Sequence, residues 1–136
     1  MVIFPAKTKF RKHQRRRLRG KASAGAVINY GEYGLQSLEC GYITTNQIES
    51  ARKALTHYLK RGGKVWIRVF ADKIKTAKAA ETRMGGGKGA PVGFLAPVKR
   101  GHILFEIGGV NYADAKEAFG LAAYKLPLET RIVVKQ

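Results

Sequence analysis

The apolar positions change period several times along the chain, and each change marks an element. Ile48, Ala51, Leu55, Tyr58 and Leu59 recur every three or four residues and form one stripe, with Arg52, Lys53 and Lys60 largely on the opposite side. Thr44, with Gln47 three residues on, fits a capping box, and Ile43 and Ile48 occupy the two positions of a hydrophobic staple. Gly62 and Gly63 supply a stop, so the spacing predicts a helix over 45–61. A second stripe of Ala115, Ala118, Phe119, Ala122 and Leu126 predicts a helix over 112–126. Asn111 is placed to cap it, Asp114 is favourable in its first turn, and Pro127 ends it.

Strand patterns lie between and around these helices. Residues 26–30 and 33–38 read as short strands, with Gly31-Glu32 as a hairpin turn between them. Residues 64–70 form a strand with both faces partly apolar. Residues 91–98 and 103–107 form two more, joined by a Lys99-Arg100-Gly101 turn, and 128–134 a last one. Residues 71–89 read as irregular, basic and glycine-rich. Two helices among about six short, mostly antiparallel strands, without strict alternation, predict a compact α+β sandwich. At 136 residues the chain has room for one core. The expected organisation is therefore a single domain, 1–136, with a basic arm over 1–24, a body over 25–136 and a long glycine-rich loop over 71–90.

Charge turns this outline toward a partner. Lys and Arg number 26 against 9 Asp and Glu, a formal net charge of +17, while the apolar fraction of 45% is that of a globular domain. Such an excess attracts polyanions, nucleic acid first and an anionic membrane second. It is also lopsided. Lys7, Lys9, Arg11, Lys12, Arg15, Arg16, Arg17, Arg19 and Lys21 put nine cations into the first 21 residues, and the first acid is Glu32. An acid-free cluster is expected to be disordered alone and to order when phosphates neutralise it. Phe4, Pro5, Phe10 and Leu18, set among these cations, are suited to anchor the arm on the body or to stack on bases. Lys73, Lys75, Lys78, Arg83 and Lys88 give the glycine-rich segment the character of a basic finger whose glycines allow close backbone approach.

Other chemistry finds little support. Cys40 is the single cysteine, so no intrachain disulfide can form, and it reads as a small core residue. His13, His57 and His102 are far apart with no paired ligand spacing, which argues against zinc and for surface or RNA-facing positions. No apolar run reaches the length of about 18 residues that a membrane helix needs. The N-terminal segment has no hydrophobic stretch of the secretory kind, and its few hydroxyl residues do not suit an organellar transit peptide. Around Gly85-Gly86-Gly87-Lys88-Gly89 a phosphate-loop pattern fails twice: Thr82 stands where it needs glycine, and Gly89 where it needs Ser or Thr. The looser dinucleotide pattern of Gly85, Gly87 and Ala90 leads into a strand instead of a helix. A DNA-binding protein would need an element for a groove, yet both helices carry stripes that commit them to a core. Trp66, too, reads as core before it reads as a stacking platform. No catalytic constellation is visible.

The order and spacing of several segments carry a closer likeness. These are Lys7-Thr8-Lys9-Phe10-Arg11-Lys12, Gln47-Ile48-Glu49-Ser50-Ala51-Arg52, and Gly63-Lys64-Val65-Trp66-Ile67-Arg68-Val69-Phe70. Glu81-Thr82-Arg83-Met84-Gly85 with Gly87-Lys88-Gly89 follows, then Leu104-Phe105-Glu106-Ile107-Gly108-Gly109-Val110 and Lys125-Leu126-Pro127. Over nearly its full length the chain resembles the bacterial and organellar family of the sixteenth protein of the large ribosomal subunit. The resemblance implies a non-enzymatic structural protein, without cofactor or metal, that binds large-subunit rRNA near the A-site transfer RNA and the peptidyl-transferase centre. It would support translation and late subunit assembly, on cytoplasmic or organellar ribosomes.

The implied partners are large-subunit rRNA, the A-site transfer RNA with the P-site transfer RNA as a further candidate, and neighbouring large-subunit proteins. No membrane and no small-molecule substrate is implied. The rRNA-binding candidates are Lys7, Lys9, Arg11, Lys12, Arg15, Arg16, Arg17, Arg19 and Lys21 on the arm, and Arg52, Lys53, Lys60, Arg61, Lys64 and Arg68 on the body. The loop that would face transfer RNA is Arg83, Met84, Gly85, Gly86, Gly87, Lys88 and Gly89. In some bacterial relatives the arginine matching Arg83 is hydroxylated. The chain departs from the family pattern at Ala71 and Ile74, where prolines are usual, at Gly86, where a cation is common, and around Gly93-Phe94, where a Tyr-Trp pair is common.

Overall fold

The computed structural model describes residues 3–60 and 62–135. In chain order the elements are β1 (Tyr33–Ser37), β2 (Gly41–Thr44), α1 (Thr45–Tyr58), β3 (Lys64–Ile67), β4 (Lys73–Ala77), β5 (Ala90–Val98), β6 (Ile103–Gly108), α2 (Tyr112–Ala123) and β7 (Thr130–Val134). The strands form two sheets, β3-β6-β1-β7 and β2-β5-β4, antiparallel throughout. This is the α+β architecture that the apolar pattern predicts.

The first helix begins as its sequence requires. The Thr44 side chain accepts the Gln47 N–H and the Gln47 side chain accepts the Thr44 N–H, which satisfies two otherwise unpaired groups at the helix end. Ile43 and Ile48, on either side of the cap, are both fully buried. The stop differs from the expected one. The helix ends at Tyr58, and Lys60, not a glycine, takes the left-handed conformation at φ 47°, two residues before Gly62. Asn111 stands at the N-cap of α2 but its side chain makes no capping bond. Ile48, Ala51 and Leu55 of α1 and Ala115, Ala118, Phe119 and Ala122 of α2 are buried. All of these but Ala115 join one core cluster with Leu35, Phe105 and Ile107 of the larger sheet and Ile43, Ala96 and Val98 of the smaller. Each such large apolar side chain contributes roughly 1.5–3 kcal/mol by leaving water. Tyr58 Oη donates to a Glu117 carboxylate oxygen and so ties α1 to α2.

Three strand expectations are corrected. Residues 26–30 are not a strand, and Gly31-Glu32 is therefore no hairpin turn: this segment lies across β6 without joining a ladder. Residues 71–89 are not wholly irregular, because Lys73–Ala77 pairs with β5 as the edge strand β4. Gly41–Thr44, unanticipated, pairs with β5 on its other side. The strand expected over 64–70 stops at Ile67. The Lys99-Arg100-Gly101 turn does connect β5 to β6, but it carries the chain from one sheet to the other.

β6 is buried along its whole length because both its faces are covered. One faces the helices. On the other, Glu106 is completely buried and accepts the N–H groups of Asn29 at 3.2 Å, Tyr30 at 2.7 Å and Gly31 at 2.8 Å. Arg68 Nη1 also donates to the carboxylate. Burial alone would raise the Glu106 pKa, but the three backbone donors and the guanidinium outweigh it and hold the carboxyl below its ordinary value.

Candidate nucleic-acid interface

The basic arm lies against the smaller sheet. Its anchors are a mixture of apolar and polar contacts. Phe4 stacks on Phe94 of β5, with ring centroids 5.4 Å apart and planes 7° from parallel. The Ala71 N–H donates to the Ile3 carbonyl at 3.1 Å, and the Ile74 N–H reaches His13 Nδ1 at 3.5 Å. A proline has no such donor, so Ala71 and Ile74, where the family pattern has prolines, each give an N–H to the arm. Tyr42 Oη donates to the Arg16 carbonyl at 2.7 Å while the Arg15 guanidinium lies 5.4 Å from the Tyr42 ring centroid. Farther along, the Ala22 N–H bonds the Arg100 carbonyl at 2.8 Å. Cys40 is exposed rather than core; its Sγ donates to the Gly20 carbonyl and accepts the Arg100 N–H, both at 3.3 Å. The arm is thus fixed by backbone and aromatic contacts, although it carries little regular secondary structure.

The arm also reaches the glycine loop. Lys12 Nζ donates to the Lys88 carbonyl at 3.0 Å, and Lys88 Nζ donates to the His13 carbonyl. Two like charges are brought together because each finds a backbone oxygen. Gly85, Gly86 and Gly87 have φ of 102°, 70° and 85°, and nothing stands within 4 Å of where a Cβ would be. The loop tip is therefore shaped by backbone conformations that suit glycine. Arg83 is exposed, and Met84 beside it is 99% exposed.

Between arm and sheet runs an open cleft of about 980 Å³. Residues 13–18 and 22–24 of the arm form one wall, and Tyr42, Lys73, Lys75, Leu95, Pro97, Lys99 and His102 the other, with Lys88 at the loop end. Arg15, Arg16, Arg17, Lys73, Lys75, Lys88 and Lys99 line it, and among the described residues no acid does. Its shape and charge suit an extended phosphodiester chain, whose phosphates would replace the missing anions. Lys99 and Tyr42 are not among the sequence-based candidates, whereas His13 and His102 line the cleft, at positions of the surface or RNA-facing kind expected of them. The period-two alternation of Lys73 and Lys75 is the one local signal that both would leave the same face of a strand.

The structure divides the other candidates. Lys7, Lys9, Arg11, Arg19 and Lys21 are exposed on the arm and do not line the cleft. Arg52, Lys53, Lys60, Lys64 and Arg68 do not line the cleft. Arg52 forms a two-point pair with Glu49 at 2.9 and 2.6 Å, and its guanidinium holds that carboxyl below its ordinary pKa. Lys53 lies 4.0 Å from the same carboxylate. Lys60 and Lys64 are exposed, and Arg61 lies outside the described residues. Arg68, with its side chain only 14% exposed, is committed to Glu106.

Comparison with known proteins identifies the family of the chain. The profile of the family described as ribosomal protein L16p/L10e matches residues 5–133. Large ribosomal subunit protein uL16 of Trichodesmium erythraeum (strain IMS101) is 56% identical over 135 residues, covering 99% of this chain and 98% of its own. Large ribosomal subunit protein uL16c of Gracilaria tenuistipitata is also 56% identical over 135 residues, covering 99% of this chain and 100% of its own. With its length matched almost end to end, the chain belongs to the ribosomal protein L16p/L10e family.

Proposed function

We propose that this protein, a structural constituent of the large ribosomal subunit and not an enzyme, grips large-subunit rRNA between its arm and its smaller sheet. The observation that carries the reading is the acid-free cleft in which seven cations from arm, sheet and loop converge. Arm and loop cations neutralise phosphates and supply most of the affinity, while recognition comes from RNA shape and splayed bases. Arg68 and Arg52, engaged with carboxylates of the chain itself, contribute less than Arg15, Arg16, Arg17, Lys73 and Lys75, which pair with no carboxylate among the described residues. The exposed tip at Arg83-Met84-Gly85-Gly86-Gly87 is the part that extends toward A-site transfer RNA and the peptidyl-transferase centre. The protein would thereby support translation and late subunit assembly, beside neighbouring large-subunit proteins on a ribosome of the cytoplasm or an organelle.

The test is binding of the full chain to large-subunit RNA fragments and to duplex DNA at matched salt. Preference for the RNA is expected, with log affinity falling linearly against log salt. Neutralising Arg15, Arg16 and Arg17 together to Gln should flatten that slope by about 2–3, at roughly 0.7–0.9 per phosphate contact. Equal affinity for duplex DNA, or an unchanged slope, overturns the reading.

A further inference from the structure

The face of the larger sheet turned away from the helices holds a feature that the arm and loop do not use. Trp66 on β3 stands opposite Glu106 of β6, and its ring lies 6.2 Å from that of Tyr30, 21° from parallel. The Trp66 ring runs over Gly108, where a Cβ would come within 3.2 Å of Cζ3, so the absence of a side chain there lets the indole lie flat on the strand. Trp66 is half-buried, not the core residue its strand pattern suggests.

Tyr30 is 63% exposed, yet it is held from two sides. Its N–H donates to Glu106, as do those of its two neighbours, and the Arg68 guanidinium lies 5.2 Å from its ring centroid. A buried ion pair thus fixes both the backbone and the ring of a residue that remains open to solvent. Fixing an exposed ring removes the ordering cost of whatever stacks on it. Beside the two rings is a shallow recess of about 430 Å³, walled by Gly63, Gly108 and Gly109 with Lys64 and Glu32 at its rim.

We propose that the Tyr30–Trp66 pair is a platform on which an unpaired RNA base stacks, with Lys64 on the adjoining phosphate and Glu32 accepting from an exocyclic amine. Every base has a face suited to such rings, and a chain of net charge +17 meets nucleic acid sooner than an apolar peptide. This rests on the RNA-binding reading but places a second contact elsewhere. The platform lies at the Gly108 end of β6, while the Gly25 carbonyl that follows the arm meets Ile103 at the other end, 2.8 Å from its N. Six residues of antiparallel strand separate the ends by about 17 Å, so cleft and platform touch different parts of a folded RNA.

Trp66 is the single tryptophan, and its fluorescence reports on the platform alone. The full chain is titrated with a short single-stranded oligoadenylate and with an RNA duplex of equal length. Quenching by the single strand and not by the duplex is expected. Tyr30→Leu should weaken oligoadenylate binding about 5- to 150-fold, the equivalent of one stacked base, without altering the salt slope, and Tyr30→Phe should restore it. Where Tyr30→Leu fails to fold, Trp66→Phe read by anisotropy serves instead. Silent Trp66 fluorescence with affinity unchanged in the variant, while salt-dependent binding persists, overturns the platform and leaves the arm–loop reading standing. Loss of salt-dependent binding to every RNA tested overturns both.

Discussion

Replacing Glu106 by Gln is expected to destabilise the protein far beyond an ordinary polar substitution. The carboxylate is fully buried, and its two oxygens serve three backbone donors and the Arg68 guanidinium. Glutamine keeps one acceptor oxygen but turns an amide donor toward groups that are themselves donors, and it leaves the guanidinium without a counter-charge. Breaking one side of a buried pair costs about 3–5 kcal/mol. At about 2.1 cal/mol/K per residue, the unfolding entropy of 136 residues is about 0.29 kcal/mol/K, so the expected fall in Tm is about 10–17 °C. Thermal unfolding followed by circular dichroism at neutral pH measures it. Because the folded pKa lies below the ordinary 4.5, the stabilisation is fully present above 4.5 and is lost as pH falls through the folded value. Glu106→Gln should therefore also flatten the acid limb of the stability profile. Combining it with Arg68→Met should recover part of the loss, a coupling of about 0.5–3 kcal/mol. A fall in Tm under about 3 °C, or strict additivity in the double variant, would refute the assignment of Glu106 as the centre of this network.

Three further outcomes follow from local geometry. Gly63→Ala should cost more than Gly20→Ala in chemical denaturation. Both glycines have positive φ, worth about 1–2 kcal/mol against alanine, but only at Gly63 would the Cβ also meet the Gly108 carbonyl at 2.6 Å and Val110 Cγ1 at 2.7 Å. Thr44→Ala should lower stability by about 1 kcal/mol through loss of the capping bond, read as a shift in denaturation midpoint at constant m. Phe4→Ala removes a stacked ring worth about 0.5–1.5 kcal/mol beyond its burial, so trypsin should cut faster at Lys7 and Lys9 with Tm nearly unchanged.

How far the fold could be read depended on where each segment found its hydrogen bonds. α1 was legible because Thr44, Gln47 and the Ile48–Leu55 stripe all act within one turn or along one face. β4 was not, because an edge strand of Lys-Ile-Lys-Thr-Ala buries little and its alternation of cation and apolar residue looks like a basic loop. Residues 26–30 misled in the opposite sense: they are apolar enough for a strand, but three N–H groups at its end go to a carboxylate 75 to 77 positions away. The acid-free arm was evident, and so was the glycine run. That they meet was not, since Lys12 and Lys88 are joined through carbonyl oxygens, which leave no mark in a residue pattern. Nor could Trp66 be resolved, because its exposure depends on Gly108, an empty place on the neighbouring strand.

The tie between Lys12 and Lys88 spans 76 positions and so has a bearing on the order in which the protein is made. The arm emerges before its docking surface during synthesis, and most of that surface, β4, β5 and the loop, follows much later. At about 5–20 residues per second the delay is roughly 4–15 s. For that interval the nascent chain carries nine cations without the sheet and loop that complete the cleft around them. An RNA encountered then would meet the arm before the sheet, and the cleft would close around a strand already held.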